Sequence, residues 1–268
     1  MTLPPPHVDS TALVTGASSG IGEQIARELA GRGHGLTLVA RREERLRALA
    51  KELAEEHGVR AESIAADLAD PAARDGIEAK LGELGLTVEV LVNNAGFGGF
   101  GSFAEQERER EIRMVRLNVE ALVDLGARFL PGMVERGQGA VINIASTASF
   151  QPLPDNATYA ATKAFVLSHG EAVHEELRGT GVTLTTVCPG PVRTEFAEVA
   201  GIGGAEERTP GFVWITPEDV ADAAVGGAES GSRVVVPGLL NRATSIAGQH
   251  APHSIALRLT RSIWRRAN

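Results

Sequence analysis

The chain has 268 residues, 43% of them apolar, 22% charged and 4% aromatic, with a net charge of −8. These proportions fit a soluble globular protein with a sizeable core, as one large domain or two small ones. The acidic balance argues against a general nucleic-acid binder, and the few aromatics against a stacking platform for single strands.

A single cysteine, Cys188, rules out an internal disulfide and fits a reducing cytoplasm. No Cys/His cluster has metal-ligand spacing, so no metal site is expected. Residues 1–10 lack the charged-then-apolar pattern of a signal peptide and read as a loose arm. No apolar run approaches about 18 residues, so no membrane span is expected.

From residue 11 the chain alternates strand and helix. Thr11–Thr15 is a buried strand leading into a glycine-rich turn, Gly16 to Gly22. A helix follows, with Ile21, Ile25, Ala26, Leu29 and Ala30 at helical spacing, and Gly31 and Gly33 end it. Leu36–Ala40 is the second strand, Glu43–His57 a charged helix, and Val59–Ala65 a third strand reaching Asp67. Residues 71–84 are helical and Val88–Val92 is the fourth strand. This alternation implies right-handed crossovers and a parallel sheet.

The second half repeats the pattern. Asn93-Asn94-Ala95-Gly96 leaves the fourth strand for a glycine loop carrying Phe97 and Phe100. Helices are expected over 105–116 and 118–136, and a fifth strand over Ala140–Ile144, ending at Ser146. A helix of about five turns then carries Tyr159 and Lys163 and closes at Leu177 and Arg178. The sixth strand is Val182–Val187, residues 195–212 read as a mobile segment, and Thr216 caps a helix opened by Pro217. Arg233–Val236 is a seventh strand. The reading is one doubly wound, Rossmann-like α/β domain over 11–240, with about seven strands and a C-terminal extension over 241–268.

Two local patterns carry chemistry. Tyr159 and Lys163 are four residues apart, on one face of a helix. A nearby ammonium favours an ionised phenol, so Lys163 is expected to lower the Tyr159 pKa and make it an acid–base group. Taken alone, the pair reads more readily as a surface helix with a half-buried tyrosine. The glycine turn between strand and helix lets backbone approach a pyrophosphate at a helix N-terminus; its bland alternative is an ordinary turn.

Thr15-Gly16-Ala17-Ser18-Ser19-Gly20-Ile21-Gly22 matches Thr-Gly-x-x-x-Gly-x-Gly, and here the chain resembles the short-chain dehydrogenase/reductase family. Asn93 to Gly96, Ser146 thirteen residues before Tyr159, and Pro189-Gly190 with Thr194 resemble further family motifs, in order along nearly the whole chain. The resemblance implies acid–base catalysis by Tyr159. Lys163 lowers its pKa and holds the nicotinamide ribose, Ser146 binds the reacting oxygen, and Asn118 supports a water joining Lys163 to solvent. It implies a dinucleotide held by Gly16, Ser18, Ser19, Gly20, Ile21 and Gly22. Asp67 and Leu68 lie at the adenine, and Asn94, Ala95 and Gly96 lie alongside. Pro189, Gly190, Val192 and Thr194 flank the nicotinamide. Hydride passes directly to the substrate, with no metal.

Members that prefer NAD carry an acid at the end of the second strand. This chain has Ala40, Arg41 and Arg42 there, so NADP(H) is expected, with Ser18 placed to bond the same 2′-phosphate. The alternative for the arginines is the start of a solvated helix. An epimerase or dehydratase, or a non-catalytic NADP(H)-binding protein, are the other classes the motifs leave open.

Phe97, Phe100, Phe150, Pro152, Leu153 and the 195–212 segment are expected to line a pocket for a moderately apolar carbonyl or alcohol. His169 and His174 have no metal-binding partners at suitable spacing and read as surface or packing residues, and Cys188 as a small buried one. In the extension, Ile255, Leu259 and Ile263 share a face beside Trp264, with Arg258, Arg261, Arg265 and Arg266 largely around the others. Such a helix packs on a subunit or lies on a membrane surface. Fatty-acid-synthesis ketoreductases of the family usually end soon after the last strand, and this tail departs from them. The family further implies a homo-oligomer, a dimer or tetramer.

Overall fold

The computed structural model describes residues 3–196, 214–250 and 257. Its strands are β1 (Ser10–Thr15), β2 (Leu36–Ala40), β3 (Ala61–Ala65), β4 (Thr87–Asn93), β5 (Gly139–Ile144), β6 (Val182–Val187) and β7 (Val234–Val235). They form one parallel sheet in the order β3-β2-β1-β4-β5-β6-β7. The helices are α1 (Gly20–Gly31), α2 (Glu43–His57), α3 (Pro71–Leu84), α4 (Arg108–Val115), α5 (Ala121–Arg136), α6 (Ala157–Glu176), α7 (Pro217–Glu229) and α8 (Leu239–His250).

Both faces of the sheet are covered, which is why the central strands read as mainly apolar, β-branched runs rather than strict alternations. Along β1, Ala12 and Val14 join a core with Ile25 and Leu29 of α1, Leu53 of α2 and Val225 of α7. Leu13, between them, joins the opposite core with Leu81 of α3 and Leu125 and Met133 of α5. The chain runs outward from β1 to β3, then returns to place β4 on the other side of β1. That reversal opens a crevice at the carboxyl ends of the strands.

Residues 3–10 are not a loose arm. Leu3 is buried in the α1/α2 core, the Asp9 carbonyl accepts from the Thr87 amide at 2.8 Å, and His7 Nε2 meets Glu89 Oε1 at 3.1 Å. One apolar side chain and a few backbone bonds anchor the segment, a signal its prolines conceal. The helices expected over 105–116 and 118–136 are one path. A 3-10 turn at Phe103–Glu105 precedes α4, and a π-helical turn at Arg116–Glu120 joins α4 to α5. The seventh strand is shorter than expected, pairing only Val234 and Val235 with β6. In the extension, α8 packs against the 3-10 turn Thr147–Phe150. The basic amphipathic face from Ile255 to Arg266 lies outside the described residues, as does 197–212 of the expected mobile segment.

Candidate active site

A cavity of about 610 Å³ occupies the crevice, and it brings together the glycine turn, the ends of β4 and β5, the start of α6 and the segment after β6. Gly16 and Gly20 have φ of +67° and +60°, a region costly for residues with a Cβ. A Cβ on Gly22 would stand 2.4 Å from Asn94 Nδ2 and 2.5 Å from the Gly16 oxygen. Asn94 occupies that space because its Nδ2 donates to the Thr15 and Gly16 carbonyls, at 2.9 and 3.3 Å. Thr15 Oγ1 accepts from the Asn94 and Ala95 amides at 2.9 and 3.0 Å and donates to the Val92 carbonyl. The first two motifs are thereby stapled into one floor. Ser19 makes no side-chain capping bond to α1, and Ser19, Gly20 and Ile21 at the start of that helix line the cavity.

Ser146 ends β5 in extended backbone and caps the next turn, its hydroxyl accepting from the Ala148 amide at 3.1 Å. Tyr159 and Lys163 stand on the first turns of α6, and all three line the cavity. Lys163 is buried, and its Nζ donates to the Ile144 carbonyl at 2.8 Å and lies 5.9 Å from the centre of the Tyr159 ring. Asn118 is buried in the π turn. Its Oδ1 accepts from the Phe97 amide at 3.1 Å, and its Nδ2 donates to the Phe97 carbonyl and to Thr162 Oγ1. Thr162 in turn donates to the Tyr159 carbonyl at 2.7 Å, tying Asn118 to the α6 backbone. Gly96 passes close to both Asn118 and Lys163: a Cβ there would be 2.9 Å from Asn118 Oδ1 and 3.5 Å from Lys163 Nζ.

The electrostatics of the pair reverse the sequence expectation. Burial pushes the Tyr159 phenol up to about 12, outweighing the hydrogen bond from Ser146 that favours the phenolate. Tyr159 is half-buried by area, open only towards the cavity and walled by protein elsewhere. Burial also pushes Lys163 down to about 8. The ammonium is engaged by Ile144, and burial is the largest cause of both shifts.

At one end of the cavity, β2 terminates in Ala40, with Arg41 and Arg42 next in the chain on the rim. Arg42 donates to Ser18 Oγ at 3.0 Å and Ser19 Oγ at 2.5 Å, a donor set suited to a phosphate oxygen cluster. Asp67 and the buried Leu68 also line the cavity. Burial raises the Asp67 pKa, but Arg113, the Ala69 amide and Arg41 outweigh it, and the carboxyl titrates below its ordinary value. At the other end Pro189, Gly190, Val192 and Thr194 line the wall, and a Cβ on Gly20 would be 3.0 Å from Thr194 Cγ2.

Of the expected pocket residues, Phe97, Phe150 and Leu153 line the cavity, while Phe100 and Pro152 are not among its walls. From the start of the expected 195–212 segment, Glu195 and Phe196 line the cavity, the Phe196 ring centre 5.6 Å from that of Tyr159, whereas sequence reading missed Trp214, Thr244, Ser245 and Gly248. The α8 residues were hidden by their assignment to an appendage. His174 Nδ1 meets the Leu184 carbonyl at 2.8 Å and His169 stacks on Phe165, both packing roles. Among the described residues no His, Cys, Asp or Glu group has the geometry for a metal. Cys188 is fully buried, and burial pushes its thiol up to about 12.

Residues 10–201 match the family described as short chain dehydrogenase. The chain is 34% identical over 229 residues to the very-long-chain 3-oxoacyl-CoA reductase of Anas platyrhynchos, covering 82% of this chain and 69% of the relative. Against the same-named Bos taurus protein, the chain spans only 63% of the relative's length. It is 38% identical over 216 residues to the NADP-dependent 3-hydroxy acid dehydrogenase YdfG of Escherichia coli K12, covering 79% of this chain and 86% of that one. A solved short-chain dehydrogenase from Sphingobium yanoikuyae in complex with NADPH superposes with a TM-score of 0.79 at 38% identity, covering 89% and 92% of the two chains. A catalytic-type Ser, Tyr and Lys beside a glycine cradle, matched to relatives across most of its length, place this chain in the short-chain dehydrogenase family.

Proposed function

We propose that the protein is an NADP(H)-dependent oxidoreductase that interconverts a carbonyl and an alcohol. The observation carrying this is the convergence of Ser146, Tyr159 and Lys163 on one cavity with the glycine cradle and the Arg42 donor set. The nicotinamide, when bound, supplies hydride to the substrate carbon or accepts it. In reduction, Tyr159 gives its proton to the carbonyl oxygen as that carbon gains hydride; in oxidation, its phenolate takes the proton from the alcohol. Ser146 donates a hydrogen bond to the same oxygen. Lys163, held by Ile144, offers its ammonium to the nicotinamide ribose and to the Tyr159 oxygen. Asn118, fixed to Phe97 and Thr162, supports a water path to Lys163.

Phe97, Phe150, Leu153, Phe196 and Trp214 give the substrate end an apolar wall, which supports a moderately apolar carbonyl. Two relatives are named for 3-oxoacyl and 3-hydroxy acid compounds, so those lead the substrate panel. We place the protein in the cytoplasm, supported by its single buried thiol, as a homo-oligomer without nucleic acid. Exposed Ile112, Val115, Val123 and Phe165 on α4, α5 and α6 support contact with a second copy. The arginines of the C-terminal extension support a peripheral membrane contact. Consumption of NADPH across a carbonyl panel, with NADH as control, tests the proposal. Faster turnover with NADH at matched concentration overturns the cofactor assignment.

A further inference from the structure

Glu195 follows Thr194 on the cavity wall, and its carboxylate reaches the start of α2. Oε2 accepts from Arg42 Nη1 at 2.7 Å and Oε1 from Arg45 Nη1 at 2.9 Å. The contact spans 153 residues of sequence and joins two residues of the cavity lining. On the far side, the same Arg42 guanidinium is held by Ser18 and Ser19. Two guanidinium groups, one turn apart at the N-terminus of α2, thus converge on a single anion.

We propose that Glu195 is an internal competitor for the 2′-phosphate of NADP(H), and that Arg45 is the second arginine of that phosphate's site. The inference rests on the NADP(H) reading above. A 2′-phosphate brings about −1.5 to −2 charges and three acceptor oxygens at neutral pH, against one charge and two oxygens for a carboxylate. It is the better partner for the arginine pair and displaces Glu195. A ribose hydroxyl, as in NAD(H), has no such claim, so the arginines stay on Glu195 when that cofactor binds. The nearby acids do not contest the position: Glu43 pairs with Arg47, and Asp67 with Arg113. Arg42 and Arg45 also hold the Glu195 carboxyl down to about 2, so it competes as an anion at every working pH.

The test uses the full chain and calorimetric titration with adenosine 2′,5′-bisphosphate and adenosine 5′-phosphate, so no turnover is needed. Glu195→Gln should bind the bisphosphate about threefold more tightly, the worth of two exposed ion pairs, with the monophosphate unchanged. Arg45→Gln should weaken the bisphosphate alone. Unchanged or weaker bisphosphate binding by Glu195→Gln, or an equal gain for both ligands, overturns the competition. Arg45→Gln binding like the parent removes Arg45 from the site. A parent protein that binds the monophosphate but gains nothing from the 2′-phosphate refutes the cofactor reading and this inference with it.

Discussion

Tyr159→Phe removes one oxygen from the cavity and leaves the ring contact with Phe196 at 5.6 Å in place. What is lost is the proton donor and the hydrogen bond from Ser146. A positioned general acid contributes about 10²–10⁴-fold, or about 3–5 kcal/mol of transition-state stabilisation. The lost hydrogen bond costs about 1 kcal/mol of stability. Lys163 keeps its bond to Ile144, and the glycine cradle does not touch the phenol. NADPH binding, followed by its fluorescence, should therefore stay within about twofold of the parent (a factor of two is about 0.4 kcal/mol). kcat for carbonyl reduction, followed by NADPH absorbance, should fall at least about a hundredfold. Turnover within tenfold of the parent, on a substrate the parent reduces, would refute the assigned role.

Tyr159 is the chain's only tyrosine, so tyrosinate absorbance reports it alone. With its phenol pushed up to about 12 from an ordinary 10.0, the folded protein should show almost no tyrosinate at pH near 10, where the denatured chain is half ionised; half-ionisation near pH 8 in the ligand-free protein would contradict the dominance of burial. Gly22→Ala places a Cβ 2.4 Å from Asn94 Nδ2, and overpacking of this kind costs about 1–3 kcal/mol. A lowered Tm together with weakened NADPH binding is expected, and a variant matching the parent in both would show that the two loops are not locked. Asn118→Ala leaves the Phe97 amide and carbonyl without their side-chain partner, while the Thr162 hydroxyl keeps its bond to the Tyr159 carbonyl, and a group left unpaired costs about 1–3 kcal/mol. Chemical denaturation should show a loss in that range, and an unchanged midpoint would argue that water replaces the side chain.

The fold was legible because both faces of each central strand are buried, which leaves mainly apolar and β-branched runs such as Leu36–Ala40. The glycine turn and the Tyr159–Lys163 pair were legible because their chemistry depends on residues close in sequence. What escaped depends on tertiary placement. The sign of the Tyr159 shift is set by the walls around it, and no spacing rule contains them. Glu195 reaches Arg42 and Arg45 only because the end of β6 and the end of β2 face one crevice. Leu3 looked like part of a tail, since one apolar residue among prolines has no period to read.

The π turn at Arg116–Glu120 sets the rotational phase between α4 and α5. Each residue of an α-helix turns about 100° around the axis. A π turn holds one residue more than the α turn it replaces, so deleting one residue there lets α4 and α5 join as an ordinary α-helix with nearly their present phase. Met114 and Leu125 then stay buried. What shifts is the placement of residues within the turn, Asn118 among them. The extra residue therefore serves the site more than the fold, and a single-residue deletion here should harm the bonds of Asn118 to Phe97 and Thr162 more than the packing of either helix.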